Sequence, residues 1–313
     1  MTPVTPLVER PLIDRLPPVR GRLTADAPLD RLTWLRVGGP AEVLFRPADM
    51  ADLQAFLAAR PADVPFTVLG VGSNVLVRDG GVPGVVIRLG APFAAVRRTD
   101  DGIAAGGAAL DLNVALAARD AGLGGLTFLA GIPGTIGAAV RMNAGAHGTE
   151  VKDVITGTEA VDPEGRQHRL APADLGLGYR SSALPGDWII TGATFRGTPE
   201  APDTIRRRMA DEKAKREAAQ PTGCATAGST FANPPGQRAW ELIEAAGCRG
   251  LAAGGAMISE KHANFIINTG GATAADVESL GETVRRRVLD TCGVALRWEV
   301  RRLGVERDAG GRP

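Results

Sequence analysis

The chain has 313 residues, enough for two or three compact units that share interfaces, and its 36 basic against 35 acidic residues leave no charge excess to attract a nucleic-acid backbone. No stretch approaches the roughly 20 apolar residues of a membrane-spanning helix, and the charged, proline-punctuated first forty residues lack the apolar core of a signal peptide. Three widely spaced cysteines without a CxxC pair argue against a disulfide framework and a zinc site, so we expect a cytoplasmic protein with no metal, no nucleic-acid partner and no membrane insertion.

The first ninety residues are predicted to contain an extended lead-in and a small α/β unit. Prolines punctuate the lead-in, residues 1–30, and the unit covers residues 31–92. Hydrophobic patterning predicts a helix that begins after Asp49, whose carboxylate can cap it. The predicted strands of this unit are residues 41–46, 66–69, 75–78 and 85–89.

A second unit, residues 93–198, is predicted to be mainly sheet. Its helix runs from Asp111 to Ala121 and ends before Gly122, and a long glycine-rich stretch follows. The predicted strands are residues 94–98, 102–106, 151–161 and 188–195.

A third unit, residues 199–304, is predicted to begin with a proline-containing linker and a charged helix that Asp203 caps. Residues 305–313 are predicted to form a frayed tail. The helices predicted in the third unit are residues 204–219, 237–246 and 273–292, and the strands are residues 264–268 and 295–303.

The first segment that indicates chemistry is Val68-Leu-Gly-Val-Gly-Ser-Asn-Val-Leu76, where an apolar strand leads into a glycine loop. Glycines let backbone N–H groups converge on an anion, and serine and asparagine add donors, which suits a pyrophosphate. The segment is not a Rossmann fingerprint, because Val75 takes the place of the third glycine and strand-like residues follow. Taken alone, it is equally compatible with a tight hairpin.

The second segment is Ala130-Gly-Ile-Pro-Gly-Thr-Ile-Gly137, continued by Arg141-Met-Asn-Ala-Gly145. Its glycines and proline fix a backbone path that side chains do not crowd, as a flat ring or a diphosphate against the main chain requires. Since the chain contains two such loops, a purely structural turn is the less favoured interpretation.

Two further segments contain candidate side chains. Gly178-Tyr-Arg-Ser-Ser182 places an arginine beside the only tyrosine, although a surface salt bridge is the default interpretation of any one arginine. Gly228-Ser-Thr-Phe-Ala-Asn233 lacks the Gly-x-Ser-x-Gly elbow of hydrolases, so its serine is not an obvious acyl nucleophile.

These segments, with Ser259-Glu-Lys-His-Ala-Asn264 after them, resemble the UDP-N-acetylenolpyruvoylglucosamine reductase family over about residues 33–304. The resemblance implies an α+β protein with a vanillyl-alcohol-oxidase (PCMH) type FAD-binding fold of two α/β subdomains and a C-terminal α/β substrate domain. It also implies NADPH-dependent, FAD-mediated reduction of UDP-N-acetylglucosamine-enolpyruvate to UDP-N-acetylmuramate. The chain is similar to the shorter subtype, without an inserted lobe that carries a substrate tyrosine.

The resemblance assigns roles to individual residues. It implies that Arg180 and Glu299 are active-site residues and that Ser229 is the proton donor. The implied FAD-binding residues are Gly70, Val71, Gly72, Ser73, Asn74, Val75, Gly131, Ile132, Pro133, Gly134, Thr135, Gly137, Asn143 and Gly145. The implied substrate-binding residues are Tyr179, Asn233, Ser259 and His262. Two positions depart from the family pattern, because Ala232 replaces a common lysine and Arg141 replaces a small residue.

Two alternatives remain open. One is an FAD-dependent oxidase or dehydrogenase of the same fold, many of which tether FAD through an N-terminal histidine; the first histidine here is His147, so we expect FAD to bind without a covalent link. The other is a protein that binds flavin or a UDP-sugar without catalysis, which the presence of Ser229, Arg180 and Glu299 disfavours.

Overall fold

The computed structural model describes residues 10–307, and its first region is a four-stranded sheet with one helix. Its elements are β1 (Arg22–Pro28), β2 (Pro40–Arg46), α1 (Met50–Ala59), β3 (Phe66–Val68), β4 (Val75–Val77) and β5 (Val82–Ile87). The sheet order is β1-β2-β5-β3, and only the β1–β2 pair in it is antiparallel. The Asp49 carboxylate accepts a hydrogen bond from Asp52 N at 3.0 Å, which confirms the predicted cap of α1.

Strand β1 lies within the segment predicted as a lead-in, of which residues 1–9 are outside the described residues. The strand pairs with β2 from Arg22 opposite Arg46 to Pro28 opposite Pro40, so it is part of the sheet. Its residues alternate between polar and apolar as a strand does, but the many prolines of this segment favoured an unpaired extended lead-in, and most of its side chains are exposed at the sheet edge.

The second region contains a five-stranded antiparallel sheet in the order β12-β11-β13-β7-β6, with α2 and α3 against it. Its elements are β6 (Val96–Arg98), β7 (Gly102–Gly106), α2 (Asp111–Asp120), β8 (Leu123–Gly124), α3 (Ile136–Arg141), β9 (Gly145–Ala146), β10 (Thr149–Glu150), α4 (Val151–Val154), β11 (Ile155–Val161), β12 (Gln167–Leu170), β13 (Ile189–Arg196) and β14 (Thr198–Pro199). Residues 151–154 form the helical turn α4, so the predicted strand start at residue 151 is wrong. The Asp153 carboxylate accepts from Glu150 N at 2.8 Å and stabilises this turn.

The third region packs two helices against a four-stranded sheet in the order β15-β18-β17-β16. Its elements are α5 (Pro202–Ala219), β15 (Ala225–Ser229), α6 (Ala239–Ala245), β16 (Ala252–Ala253), β17 (Ala256–Ile258), β18 (Phe265–Asn268), α7 (Ala274–Cys292) and β19 (Arg301–Leu303). Asp203 lies inside the first turn of α5 and does not cap it, which corrects that prediction. Five short 3-10 helices complete the described elements: Leu12–Arg15, Asp30–Leu32, Ala91–Phe93, Thr127–Gly131 and Pro172–Leu175.

The predicted closing strand is much shorter than expected, because only Arg301–Leu303 form β19. Before it, the Trp298 ring packs against α7 so closely that a Cβ on Gly281 would lie 2.2 Å from that ring. Residues 297–299 pair with residues 230–232 only through an isolated antiparallel bridge between Trp298 and Phe231. Strand β19 then pairs in parallel with β4 of the first region.

The cores of the first and third regions are joined. The apolar cluster of the third region includes Leu35, Val37 and Leu76 from the first region. Within residues 10–307, no helix combines the length and apolar character that crossing a bilayer requires.

Candidate active site

A cavity of 370 Å³ lies between the first sheet and the second region. Four of the predicted FAD-binding residues line it: Gly70, Val71, Thr135 and Gly137. The other predicted FAD-binding residues are not on its wall: Gly72, Ser73, Asn74, Val75, Gly131, Ile132, Pro133, Gly134, Asn143 and Gly145. The two glycine loops, 65 residues apart at Gly70 and Thr135, therefore meet at one cavity.

Close backbone approach explains the glycines at this meeting point. A Cβ on Gly70 would lie 2.9 Å from Thr135 Oγ1, and a Cβ on Gly137 would lie 3.0 Å from the carbonyl oxygens of both Gly107 and Ile190. Gly137 N also donates to Gly107 O at 2.9 Å. A Cβ at Gly70 would crowd the Thr135 side chain, and a Cβ at Gly137 would require the two backbone carbonyls to shift.

Three arginines on the cavity wall make its electrostatics positive. Arg88, Arg141 and Arg301 line the cavity, and none of them forms an ion pair with another described residue. Burial lowers the pKa of Arg88 and of Arg141, and for Arg141 the nearby charge of Arg301 contributes. Cations without acidic partners favour an anionic ligand.

Arg180 lies in a tight turn in which Gly178 N donates to Ser181 O at 3.0 Å. Its φ is +54°, a conformation that non-glycine residues rarely adopt. Arg180 Nε donates to Glu299 Oε1 at 3.1 Å and Nη2 donates to Gly145 O at 3.1 Å. Nη1 is buried without a hydrogen-bond partner among the described residues, and its ion-pair contact with Glu150 Oε1 is 3.9 Å long.

Asn143 stabilises the turn that contains Arg180 through its side-chain hydrogen bonds. It is fully buried, and its Nδ2 donates to Gly178 O at 2.9 Å and to Glu150 Oε2 at 3.1 Å. Its Oδ1 accepts from Lys152 N at 2.9 Å. The structure therefore places the predicted residues Asn143 and Gly145 around Arg180.

Glu299 is held by backbone contacts on two sides. Its N–H donates to Thr230 O at 2.9 Å, and its carbonyl accepts from Asn74 Nδ2 at 3.3 Å. Burial raises the pKa of Glu299 above its ordinary value, and the guanidinium of Arg180 partly offsets that rise. Asn74, predicted as a cofactor ligand, thus anchors the segment that carries the carboxylate.

Ser229 is the last residue of β15 and lies opposite Phe265 of β18. The β15–β18 register shifts between Thr226 and Ser229, and such irregularities change the direction of a side chain. The Ser229 hydroxyl has no hydrogen-bond partner in the described part of the chain. Its neighbour Thr230 bonds Glu299 N, so the structure brings the serine segment to the Arg180–Glu299 pair.

The predicted substrate residues separate into two groups. Tyr179 and Asn233 line an open cleft of 800 Å³, together with Arg238 and Arg297. Tyr179 is 48% exposed, and its ring lies 5.3 Å from Arg180 Cζ. Ser259 is buried in a turn where its Oγ accepts from Lys261 N at 3.2 Å, and His262 packs against Phe265, so neither lines that cleft.

Comparisons with known proteins now identify the family. The family models that match are described as FAD binding domain, over residues 41–171, and UDP-N-acetylenolpyruvoylglucosamine reductase, C-terminal domain, over residues 220–303. The UDP-N-acetylenolpyruvoylglucosamine reductase of Rhodospirillum rubrum is 59% identical over 303 residues, which is 95% of each chain. The chain belongs to the UDP-N-acetylenolpyruvoylglucosamine reductase family.

Other members of this family agree in sequence and in structure. The reductase of Paramagnetospirillum magneticum is 58% identical over 296 residues, 95% of this chain and 96% of that one. The crystal structure of the reductase from Thermus caldophilus is 38% identical, with a TM-score of 0.78 over 91% of this chain and 99% of that one. These findings confirm the predicted family and the predicted α+β fold of vanillyl-alcohol-oxidase type.

The cavity fits the FAD that this family uses. Gly70 and Gly137 present backbone without a side chain on the cavity wall, and Arg88, Arg141 and Arg301 offer charge to the diphosphate of the cofactor. Within residues 10–307, no cluster of three His, Cys, Asp or Glu residues could hold a metal ion.

Sequence reasoning missed several residues of the site. Glu150 bonds Asn143 and faces Arg180, and it follows the Met-Asn-Ala-Gly motif closely enough that the motif could have indicated it. Asp111 is fully buried behind the second glycine loop, where a Cβ on Gly134 would lie 2.6 Å from its Oδ2, and burial raises the pKa of its carboxyl well above the ordinary value. Nothing in the sequence around Asp111 indicates that burial.

Proposed function

We propose that the chain reduces the enolpyruvyl group of UDP-N-acetylglucosamine-enolpyruvate to give UDP-N-acetylmuramate, with Arg180, Glu299 and Ser229 acting on the substrate. The observation that carries the proposal is the partly buried Arg180–Glu299 pair, joined at 3.1 Å next to the Ser229 segment. Bound FAD supplies the redox chemistry, since it accepts hydride from NADPH and delivers it to the methylene carbon of the substrate.

Arg180 provides fixed positive charge where the substrate becomes negative. When hydride adds to the methylene carbon, negative charge develops on the adjacent carbon and spreads into the carboxylate. Arg180 Nη1 is a buried donor without a hydrogen bond in the described structure, and such a donor costs free energy until a partner reaches it. A substrate carboxylate at this nitrogen satisfies the donor and places the developing charge against the guanidinium.

Glu299 orients the guanidinium. Its carboxylate accepts a hydrogen bond from Nε of Arg180, so the two terminal nitrogens of the guanidinium remain available for other acceptors. Its backbone is fixed by Asn74 and Thr230, so the carboxylate direction is fixed as well. Gly145 O occupies Nη2, which leaves Nη1 for the ligand.

Ser229 completes the reaction by donating its hydroxyl proton to the carbon beside the carboxylate. The new C–H bond takes the electron pair of the enolate, and the serine alkoxide recovers a proton from water. An enolate of this kind is a far stronger base than a serine alkoxide, so the transfer is thermodynamically favourable. The hydroxyl has no partner within the described residues that would compete for its proton.

The cleft beside Tyr179 supports an anionic sugar nucleotide as substrate. Arg238 and Arg297 line it, and neither pairs with an acidic side chain in residues 10–307. Their charges stand near Ala232, the position where the family pattern has a lysine. We assign the diphosphate of the substrate to these two arginines.

We place the reaction in the cytoplasm. Cys224, Cys248 and Cys292 are all free thiols, as a reducing compartment favours.

The test is an anaerobic titration that follows the flavin absorbance band. NADPH first bleaches the band, and the excess NADPH is removed. UDP-N-acetylglucosamine-enolpyruvate is then expected to restore the band. UDP-N-acetylglucosamine, which has no enolpyruvyl group, should leave it bleached. If oxygen restores the flavin band and the enolpyruvyl substrate does not, the result contradicts the proposal and favours an oxidase.

A second measurement tests the mode of FAD binding. Acid precipitation is expected to release all of the yellow colour into the supernatant, because the first described glycine loop offers no histidine or cysteine to form a covalent bond. Flavin that stays with the washed pellet contradicts this expectation.

A further inference from the structure

Arg141 forms an unusual set of contacts at the end of α3. Its Nη1 donates to Leu184 O and to Pro185 O, each at 2.9 Å, and its Nη2 donates to the carbonyl of Trp188. All three acceptors belong to the loop before β13. Because the acceptors are backbone carbonyls, the contacts fix the path of that loop whatever its side chains are.

The loop that Arg141 binds is also a wall of the cofactor cavity. Gly186 and Trp188 line the cavity, and so does Arg141 itself. The Trp188 ring stacks on His168 with ring centroids 4.3 Å apart, which fixes the far side of the loop. Residues 185–187 are otherwise exposed to solvent, so few contacts besides those of Arg141 hold them.

The same loop is continuous with the turn that carries Arg180. We call residues 178–188 the Arg180 segment. Before Arg180, Gly178 O accepts from Asn143 Nδ2, and after it, the three carbonyls accept from Arg141. Arg141 and Asn143, which are separated by one residue in the chain, therefore hold the two ends of the segment.

We propose that Arg141 is a positioning residue that acts through the Arg180 segment: it retains FAD by closing the outer wall of the cavity, and it fixes the place of Arg180. The effect on FAD stands on the cavity geometry alone, and the effect on Arg180 rests on the proposed function. Arg141 is also the residue that departs from the small side chain of the family pattern, so the device belongs to this chain and to relatives with arginine there.

The charges around Arg141 agree with this role. The neighbouring charges are Arg301, which disfavours a second cation, and Asp187, which favours one, and the guanidinium has no ion pair within the described ranges. Its interactions are therefore directed at carbonyl dipoles. A side chain that only supplied charge to the cofactor would not need three donors engaged on one loop.

The test uses Arg141→Met, which removes the donors and retains much of the volume, and Arg141→Lys, which retains the charge with fewer simultaneous contacts. Arg207→Met, on the exposed face of α5, is the control. FAD dissociation from the holoenzyme is followed by the flavin fluorescence that appears on dilution. We expect it to be about 10- to 100-fold faster with methionine, intermediate with lysine and unchanged in the control.

Hydrogen exchange supplies the readout that distinguishes positioning from general damage. Trp188 N donates to Pro185 O at 3.1 Å, so its amide reports the order of the loop. In the FAD-loaded Met variant, exchange across residues 182–188 is expected to accelerate while β13 stays protected. KM for the enolpyruvyl substrate should rise.

Two results overturn the proposal. Unchanged FAD dissociation in Arg141→Met shows that the loop does not retain the cofactor, and faster dissociation with unchanged exchange over residues 182–188 shows that Arg141 acts on FAD by charge alone. If the Met variant does not fold, Arg141→Lys decides between the same outcomes. Both readouts are independent of the substrate, so a failure of the proposed reaction does not affect them.

Discussion

The cofactor side and the catalytic side of the site are built from different parts of the chain. Two glycine loops bring backbone and small residues to the cavity wall, which three arginines complete, whereas the catalytic side is made of charged and polar side chains from three distant segments. Steric limits within each loop determine the cofactor side. Pairings between distant residues, such as Arg180 and Glu299, which are 119 residues apart, determine the catalytic side. Substitutions should therefore affect chemistry on one side and stability or FAD retention on the other.

The largest expected effect is that of Ser229→Ala on the second half-reaction. NADPH should bleach the flavin at the normal rate, because hydride transfer to FAD needs no proton donor near the enolpyruvyl carbon. Reoxidation by the enolpyruvyl substrate should slow by about 10²- to 10⁴-fold, the range for loss of a positioned general acid. Anaerobic stopped-flow spectroscopy follows both steps.

The control for this variant is Ser279→Ala, on the exposed face of α7. Reoxidation of Ser229→Ala at the wild-type rate would show that Ser229 is only a turn residue. Loss of the NADPH step as well would show that the catalytic and cofactor sides are not separable at this position.

Arg180→Lys is expected to reduce turnover by about 100-fold, because an ammonium group cannot bond Glu299, Gly145 and a carboxylate in one plane. The matched control is Arg207→Lys, which exchanges the same residue types on an exposed helix face. Steady-state kinetics at saturating FAD measures both. Equal activity of the two variants would mean that Arg180 only stabilises its turn.

Glu299→Gln is expected to lower turnover about tenfold, which corresponds to weakening one charged hydrogen bond by roughly 1.4 kcal/mol. Burial raises the pKa of Glu299. As the pH falls, its carboxylate is therefore protonated at a higher pH than the carboxylate of an exposed glutamate. The wild-type rate should therefore decline from that higher pH downward, and the Gln variant should lose this limb. A pH profile of reoxidation with the same acid limb in both proteins would exclude Glu299 as its source.

Gly137→Ala has the smallest expected effect on chemistry and tests the cofactor side. Its Cβ would lie 3.0 Å from two backbone carbonyls, so we expect the free energy of unfolding to fall by about 1–3 kcal/mol, with both half-reactions nearly unchanged at saturating FAD. Gly157→Ala, whose Cβ would meet no atom closer than 4.0 Å, is the control in urea denaturation. A fully stable Gly137→Ala would contradict the steric account of the loop.

The same contrast explains what the sequence could predict. Gly70 and Gly137 are recognisable because their steric requirement is local, and the structure places both on the cavity. Helix caps are local too, and Asp49 and Thr273 lie at the predicted starts of α1 and α7. Arg180 stands in a segment that the sequence singles out, but its active-site role and that of Glu299 followed only from the family resemblance, because no local pattern joins the two residues.

The errors have the opposite origin. Residues 295–300 alternate as a strand does, but among them only Trp298 forms a bridge, with Phe231, while its ring packs against Gly281 of α7. The role of Arg141 depends on three carbonyls more than 40 residues away, which no pattern near the motif indicates. Tertiary contacts of this kind override local preference.

The parallel pairing of β19 with β4 has a consequence for biosynthesis. Strand β4 follows the first glycine loop, yet its partner is β19, Arg301–Leu303, so β4 stays without this partner until that much later segment has been translated. Glu299 belongs to the same late segment, so the Arg180–Glu299 pair also forms only after that segment has been translated. Contacts of such long sequence separation form slowly. A ribosome-bound chain should therefore gain its catalytic pair late, and a nonsense codon in α7 would leave β4 without its partner strand and the cavity without Arg301 and Leu303 on its wall.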